Sequence, residues 1–257
     1  VGAFDRYNYG DLLMPHIVKK ELEYSFPNEK LEFDYYGLVK SNMEYCGGYN
    51  TRKLSEIYTK YYDAIILDGG DILNVTWSDM FLNLQDNILT IFFFKSLRKL
   101  SYKVSDIIAK EILNGKTYKP WILDKNKLKC KFLIYNTVDG NIKNEIIPKV
   151  CGCIKDIDYI SVRNERVYNY IKEINSNCSL TPDSVINLSK VFDQLEIEKK
   201  VSKKIKDFVK EKNYYIFQCK KQIGDKYYNE IVNSIKKANE NINLKCLFLP
   251  IGFAQGH

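Results

Sequence analysis

Four short loops in this chain combine the residue types that handle small anionic ligands. Asn8-Tyr9-Gly10-Asp11 follows an apolar start at residues 1–4, and Asp68-Gly69-Gly70-Asp71 follows the apolar run 64–67. Ser161-Val162-Arg163-Asn164-Glu165-Arg166 closes a third apolar segment, and Gly252 to His257 follows a fourth. Glycines let a backbone approach a ligand closely, and helix N-termini favour phosphate. Arg163, at a strand end, can grip a carboxylate or phosphate bidentately. In open α/β sheets ligands bind outside the carboxyl ends of the strands, where such loops lie. The same residues also have structural uses. Asp11 can cap a helix, Asp68 and Asp71 suit turns, and Arg163 and Arg166 can pair with Glu165 or Glu173 on the surface. His16 reads as a partly buried structural residue. Most of the 20 tyrosines read as packing residues with a polar tip, with Tyr7 and Tyr9 in the first loop set apart.

The elements that must hold these loops alternate between short apolar strands and amphipathic helices. Residues 1–4 lead into the first loop and then a helix, where the pattern puts Pro15 in or near the first turn. Glu32-Phe33-Asp34-Tyr35 alternates like a strand, and 51–62 reads as a helix with Leu54, Ile57, Tyr58 and Tyr61 on one face. Ala64-Ile65-Ile66-Leu67 reads as a parallel strand buried on both faces, followed by a glycine turn. A long helical region over 79–115, broken near Ser101, follows; its apolar run at 91–94 predicts a buried helix. Strands at 132–135 and 159–162 and helices near 142–149 and 164–174 complete the first part, which Thr181-Pro182-Asp183 closes. This alternation argues for a doubly wound parallel sheet. The boundary is drawn between 1–187 and 188–257. The second part reads as a Lys-rich helix at 199–212, a strand at 214–217, a helix at 226–240 and a strand at 244–249. Two strands are thin for a doubly wound domain, and a loop directly after an apolar strand is an unusual stopping point, so an incomplete second domain is expected.

The chain has 257 residues, 45% of them hydrophobic, which excludes disorder. No apolar run reaches the length of a membrane span, and no secretory leader pattern is visible. Seven cysteines without a C-x-x-C pair read as buried free thiols in a reducing cytoplasm rather than a metal site. The net charge of +7, from 39 Lys and Arg against 32 Asp and Glu, favours anionic ligands, but in a chain crowded with Lys, Ile, Asn and Tyr the larger share of the lysines reads as solvated surface. No basic cluster interleaved with aromatics points to nucleic acid.

Taken in order, F-D-R-Y-N-Y-G-D-L-L-M-P, Y-D-A-I-I-L-D-G-G-D-I-L, I-S-V-R-N-E-R-V, L-T-P-D-S-V and L-P-I-G-F-A-Q-G-H resemble the polysaccharide pyruvyl transferase family. The resemblance implies α/β architecture with two Rossmann-like domains in a glycosyltransferase-B-like arrangement. It implies transfer of the enolpyruvyl group of phosphoenolpyruvate onto two hydroxyls of a sugar in a polysaccharide or glycan precursor, giving a pyruvate ketal. No metal or further cofactor is implied. Arg163 would bind the donor's anionic groups, Asp71 or Asp11 would act as acid/base, and His257 would have a polar role in catalysis. Asn8, Tyr9, Gly10, Gly69 and Gly70 would shape the substrate site. Phosphoenolpyruvate and a sugar acceptor are the implied partners; a lipid-linked acceptor would add peripheral membrane contact. The chain departs from the family in having Asp68 where a third glycine is usual, and in lacking a later arginine-x-histidine motif. The other readings of the same architecture are a nucleotide-sugar glycosyltransferase and a truncated, non-catalytic carbohydrate-binding protein.

Overall fold

In the computed structural model, residues 1–140, 142, 146–210, 213–219, 221–242 and 244–249 are described. They fall into two compact units, Val1–Asn187 and Leu188–His257. His257 and the rest of 250–257 lie outside the described residues.

Unit 1 contains β1 (Tyr36–Gly37), β2 (Ser41–Asn42), β3 (Asn50–Lys53), β4 (Tyr62–Asp68), β5 (Cys130–Val138), β6 (Tyr159–Val162) and β7 (Cys178–Leu180). Its helices are α1 (Tyr9–Ser25), α2 (Trp77–Asn83), α3 (Ile88–Leu100), α4 (Tyr102–Ile112), α5 (Ile147–Lys155) and α6 (Glu165–Ile174). Strands β4-β5-β6-β7 form a four-stranded parallel sheet, and β1-β3-β2 form a smaller one. The N-terminal segment joins them. The Val1 nitrogen donates to the Ile66 carbonyl at 2.7 Å, Asp68 N–H donates to Val1 at 2.8 Å, and Gly2 N–H donates to Tyr36 at 3.1 Å. The chain thus starts between β1 and β4, runs outward to β1 and β3, then returns to build β4 through β7 on the other side. That reversal is a topological switch point, and the loops beside it are where α/β sheets hold ligands. The unit is mixed α/β, and its parallel sheet is compatible with Rossmann-like folds.

The core lies between the sheet and its helices, with Leu67, Leu133, Tyr135, Val138, Trp77, Trp121 and Leu123 almost fully excluded from water. Register explains part of it, because Ile65 lies beside Leu133 and Leu67 beside Tyr135. The expected full burial of β4 is corrected: Ala64 is exposed and Ile66 half-buried. α2 starts at a reciprocal cap in which Thr76 Oγ1 accepts from Asp79 N–H and Asp79 accepts from Thr76 N–H.

Several expectations give way. Residues 51–62 are not a helix; β3 and a 3₁₀ turn at Leu54–Glu56 occupy them, because β3 finds partners in β1 and β2 that local periodicity cannot reveal. Residues 32–35 form no strand, and pairing starts at Tyr36. Pro15 lies well inside α1, past the first turn. The helix near 142–149 starts at Ile147, and the 79–115 region is broken at 84–87 as well as at Ser101. Within the apolar run 91–94 only Ile91 and Phe94 are buried. Of the seven free cysteines, Cys178 alone is buried, and the others are half-buried.

Unit 2 comprises α7 (Leu188–Val191), α8 (Gln194–Lys200), α9 (Lys203–Lys210), β8 (Tyr214–Phe217), α10 (Lys221–Lys226), α11 (Tyr228–Ile242) and β9 (Lys245–Phe248). β8 and β9 pair in parallel. No residue of this unit whose exposure is described is buried.

Candidate functional site

The loop after the first segment, the N-terminus of α1 and the carboxyl ends of β4 to β7 bring together an acid- and arginine-rich cluster. Asn8, not Asp11, caps α1: its Oδ1 accepts from Gly10 N–H at 3.2 Å. The other end of the same amide, Nδ2, donates to Asp11 Oδ2 at 2.8 Å. Asp11 therefore sits in the first turn with its carboxyl held, and Leu12 to Pro15 bury the helix behind it. Burial pushes the Asp11 carboxyl up to about 6, against the pull of Arg6 and the Asn8 hydrogen bond.

Asp68 ends β4 in register with Asn136 on β5. Asn136 Nδ2 donates to its Oδ1 at 3.0 Å, while Oδ2 is buried without a hydrogen-bond partner among the described residues. At 2% exposure burial raises this carboxyl to about 7; the Asn136 bond opposes the rise, and Asp183 and Asp11 add to it.

Beyond Asn136 the β5–β6 register shifts. Thr137 takes a left-handed φ of 49°, its N–H donating to Ser161 Oγ at 2.7 Å. A bulge of this kind bends a strand end and re-aims its side chains. Asp139 follows, and its backbone accepts from Ile72 and Leu73 while Asp139 N–H donates to Gly70 at 2.7 Å. The loops after β4 and β5 are thereby tied together.

Arg163, at the end of β6, pairs with Asp183 through Nη1 and reaches Asp139 Oδ2 from Nε at 3.4 Å. Burial works against its charge, but these carboxylates outweigh it and hold the guanidinium more firmly protonated than usual. The guanidinium lies over Gly70, where a Cβ would come within 2.6 Å of Nη2. Arg6 is buried, with Nε on Asp5 Oδ1 at 2.9 Å and Nη2 at 2.8 Å from the same oxygen. The second Asp5 oxygen accepts from Val39 N–H at 3.0 Å.

Of the residues singled out in the sequence, Asn8, Gly10, Asp11, Gly69, Gly70 and Arg163 belong to this cluster. Asp71 is exposed and forms a backbone bridge with Asp139. Tyr9 is 53% exposed. His257 is not described. Asp68, read from sequence as a turn residue, is buried; its position at the end of an apolar run was the available signal. Asp5, Arg6, Asn136, Asp139 and Asp183 were missed: the strand register and the Thr137 bulge bring in the last three, and a long-range contact from Val39 N–H anchors Asp5, which holds Arg6. Among the described residues, no group of His, Cys, Asp and Glu is placed to hold a metal ion, and no helix is long and apolar enough to cross a membrane.

The class this fold and cluster define is an α/β protein with a parallel sheet and a polar cluster of carboxyls and guanidiniums at its switch point. Comparison with protein-family models, with characterised proteins and with solved structures finds no match.

Proposed function

We propose that this chain is a pyruvyl-transferase-like enzyme that moves the enolpyruvyl unit of phosphoenolpyruvate onto two hydroxyls of a sugar. The observation that carries the reading is the pair of raised carboxyls: half-buried Asp11 at about 6, with Arg6 and Arg163 acting on it, and the deeper Asp68 at about 7. The reaction needs a group that is protonated near neutral pH, because C3 of the donor must gain a proton before C2 becomes electrophilic. One sugar hydroxyl then attacks C2, phosphate leaves, and the second hydroxyl closes the ketal while both hydroxyl protons are released.

Asp11 is assigned as that acid, since it is only half-buried and so open to a ligand. Asp68 lies deeper and stays mostly protonated below about pH 7. Arg163 binds the donor's anionic groups in exchange for Asp183, which holds the guanidinium in place beforehand. Gly70 leaves the guanidinium its room.

The test is phosphate release and ketal formation with phosphoenolpyruvate and glycan acceptors, together with thermal stabilisation by each ligand. Stabilisation by phosphoenolpyruvate is expected. Stabilisation by a nucleoside diphosphate sugar alone would replace this reading with glycosyl transfer. Arg163→Ala should weaken donor binding about tenfold or more, as expected on losing a charge-assisted bidentate contact. An unchanged affinity in the folded variant would remove Arg163 from the site.

A further inference from the structure

α3 and α4 are joined through Ser101 alone, and each buries one side: Ile91 and Phe94 on α3, Ser105 and Ala109 on α4. The other side of α3 is not polar. Ile88 is 77% exposed, Leu89 74%, Phe92 73% and Phe93 64%. On α4, Val104, Ile107, Ile108 and Ile112 are exposed as well. A surface helix ordinarily places charged and polar residues there. Clustered exposed apolar side chains instead mark an interaction site.

The charge pattern indicates what covers this face. Ile88, Phe92, Lys95 and Lys99 share one side of α3 by their three- and four-residue spacing. An apolar block thus runs into lysines along the same row, and Lys103 opens α4 beyond the turn. Lys95, Lys99 and Lys103 are all exposed. Of the two acidic residues on α4, Asp106 accepts from Ser78 N–H at 2.9 Å and so faces α2 rather than outward, and Glu111 is exposed in the last turn, away from Lys103 in the first. Two copies of this face would set lysine against lysine, in a chain of net charge +7. An anionic surface gains from the same charges.

We infer that the α3–α4 hairpin rests on an anionic lipid bilayer. Ile88, Leu89, Phe92 and Phe93 enter the boundary between headgroups and acyl chains, and Lys99 and Lys103 reach the lipid phosphates. Lysine suits this position because its long apolar stem can lie along the membrane while the ammonium stays with the headgroups. Helices of 13 and 11 residues lie on a bilayer and do not span it. The inference is independent of pyruvyl transfer, since none of these side chains belongs to the cluster at the strand ends.

Co-sedimentation of the 257-residue chain with vesicles of phosphatidylcholine, with and without phosphatidylglycerol, tests it. Binding to the anionic vesicles is expected to be at least about tenfold tighter and to weaken as salt rises. Phe92→Ser with Phe93→Ser should reduce binding about tenfold or more. Lys99→Gln and Lys103→Gln together should reduce binding to anionic vesicles about thirtyfold and leave binding to neutral vesicles unchanged. All four side chains are exposed, so unchanged circular dichroism should accompany these effects. If the aromatic variant fails to fold, the lysine variant decides alone. Absence of vesicle binding, equal binding to neutral and anionic vesicles, or a dimer that the phenylalanine variant dissolves would each overturn the inference.

Discussion

Asp68 carries its carboxyl at 2% exposure, with Asn136 on one oxygen and a buried, unbonded second oxygen. A native value of about 7 against an ordinary 3.8 means the folded chain keeps a proton that the unfolded chain releases. Below about pH 4 both states hold the proton, and the group contributes nothing to pH dependence. As pH rises from about 4 to 7 stability falls, by up to about 4 kcal/mol, and above the folded value the loss is complete. Asp68→Asn removes this ionisation while keeping an acceptor for Asn136. The variant should therefore gain stability over the parent chain at pH 8 and lose that advantage near pH 4, as read by urea denaturation at both values. An equal gain at both would trace the effect to packing. Asp11 is argued on the same chemistry but read in turnover. An acid with a value of about 6 must be protonated to work, so the rate should fall as pH rises through that region. Asp11→Asn should lower it about 10²–10⁴-fold. Asp183→Asn has the opposite sign to Arg163→Ala: it removes the carboxylate that competes for the guanidinium, and donor affinity measured by calorimetry should rise.

Two glycines distinguish holding an element in place from leaving room for a ligand group. Gly140 has φ +118°, and a Cβ there would meet Asp71 Oδ1 at 2.6 Å and the backbone nitrogens of Asn74 and Leu73 at 2.9 and 3.0 Å. Backbone cannot yield as a side chain can, so Gly140→Ala should cost about 1–3 kcal/mol or more in thermal unfolding. At Gly70 the obstructing atom is the end of Arg163, a flexible group; Gly70→Ala should leave stability nearly unchanged and weaken donor binding. The sequence made some of these elements readable and hid others. β4, β6, α6, β8 and α11 follow from apolar runs or strong 3.6-residue periodicity. Leu54 and Ile57 have helical spacing yet are buried through a 3₁₀ turn, because strand pairing across the small sheet outweighs local preference. β7 is three residues long, too short for any pattern to register. Asn8, Asp11 and Arg163 were visible as residues at the ends of strands. Their partners Asp139 and Asp183 were not, because a bulge at Thr137 and the β6–β7 register determine which carboxylates reach the guanidinium.

Across the whole molecule, burial is divided very unevenly. Every residue described as buried, from Gly2 to Cys178, belongs to unit 1, whereas the residues of 188–249 whose exposure is described are half-buried or exposed. Backbone pairing in unit 2 rests on the two four-residue strands β8 and β9, while β4 and β5 extend over seven and nine residues with Leu67 and Leu133 fully excluded from water. Stability is set locally by buried apolar contacts and protected hydrogen bonds, so such a division predicts separate opening. Amides of β4 and β5 should exchange with solvent only through the largest openings. Those of β8 and β9 should exchange faster by orders of magnitude, because few buried contacts have to be broken to expose them. Heating should then give two transitions rather than one, with the first confined to probes in 188–249. Hydrogen exchange resolved by mass spectrometry can follow both units in one sample. Equal protection of Ile216 on β8 and Leu67 on β4 would mean that unit 2 shares in the cooperative core despite its open side chains, and the two-transition prediction would fail with it.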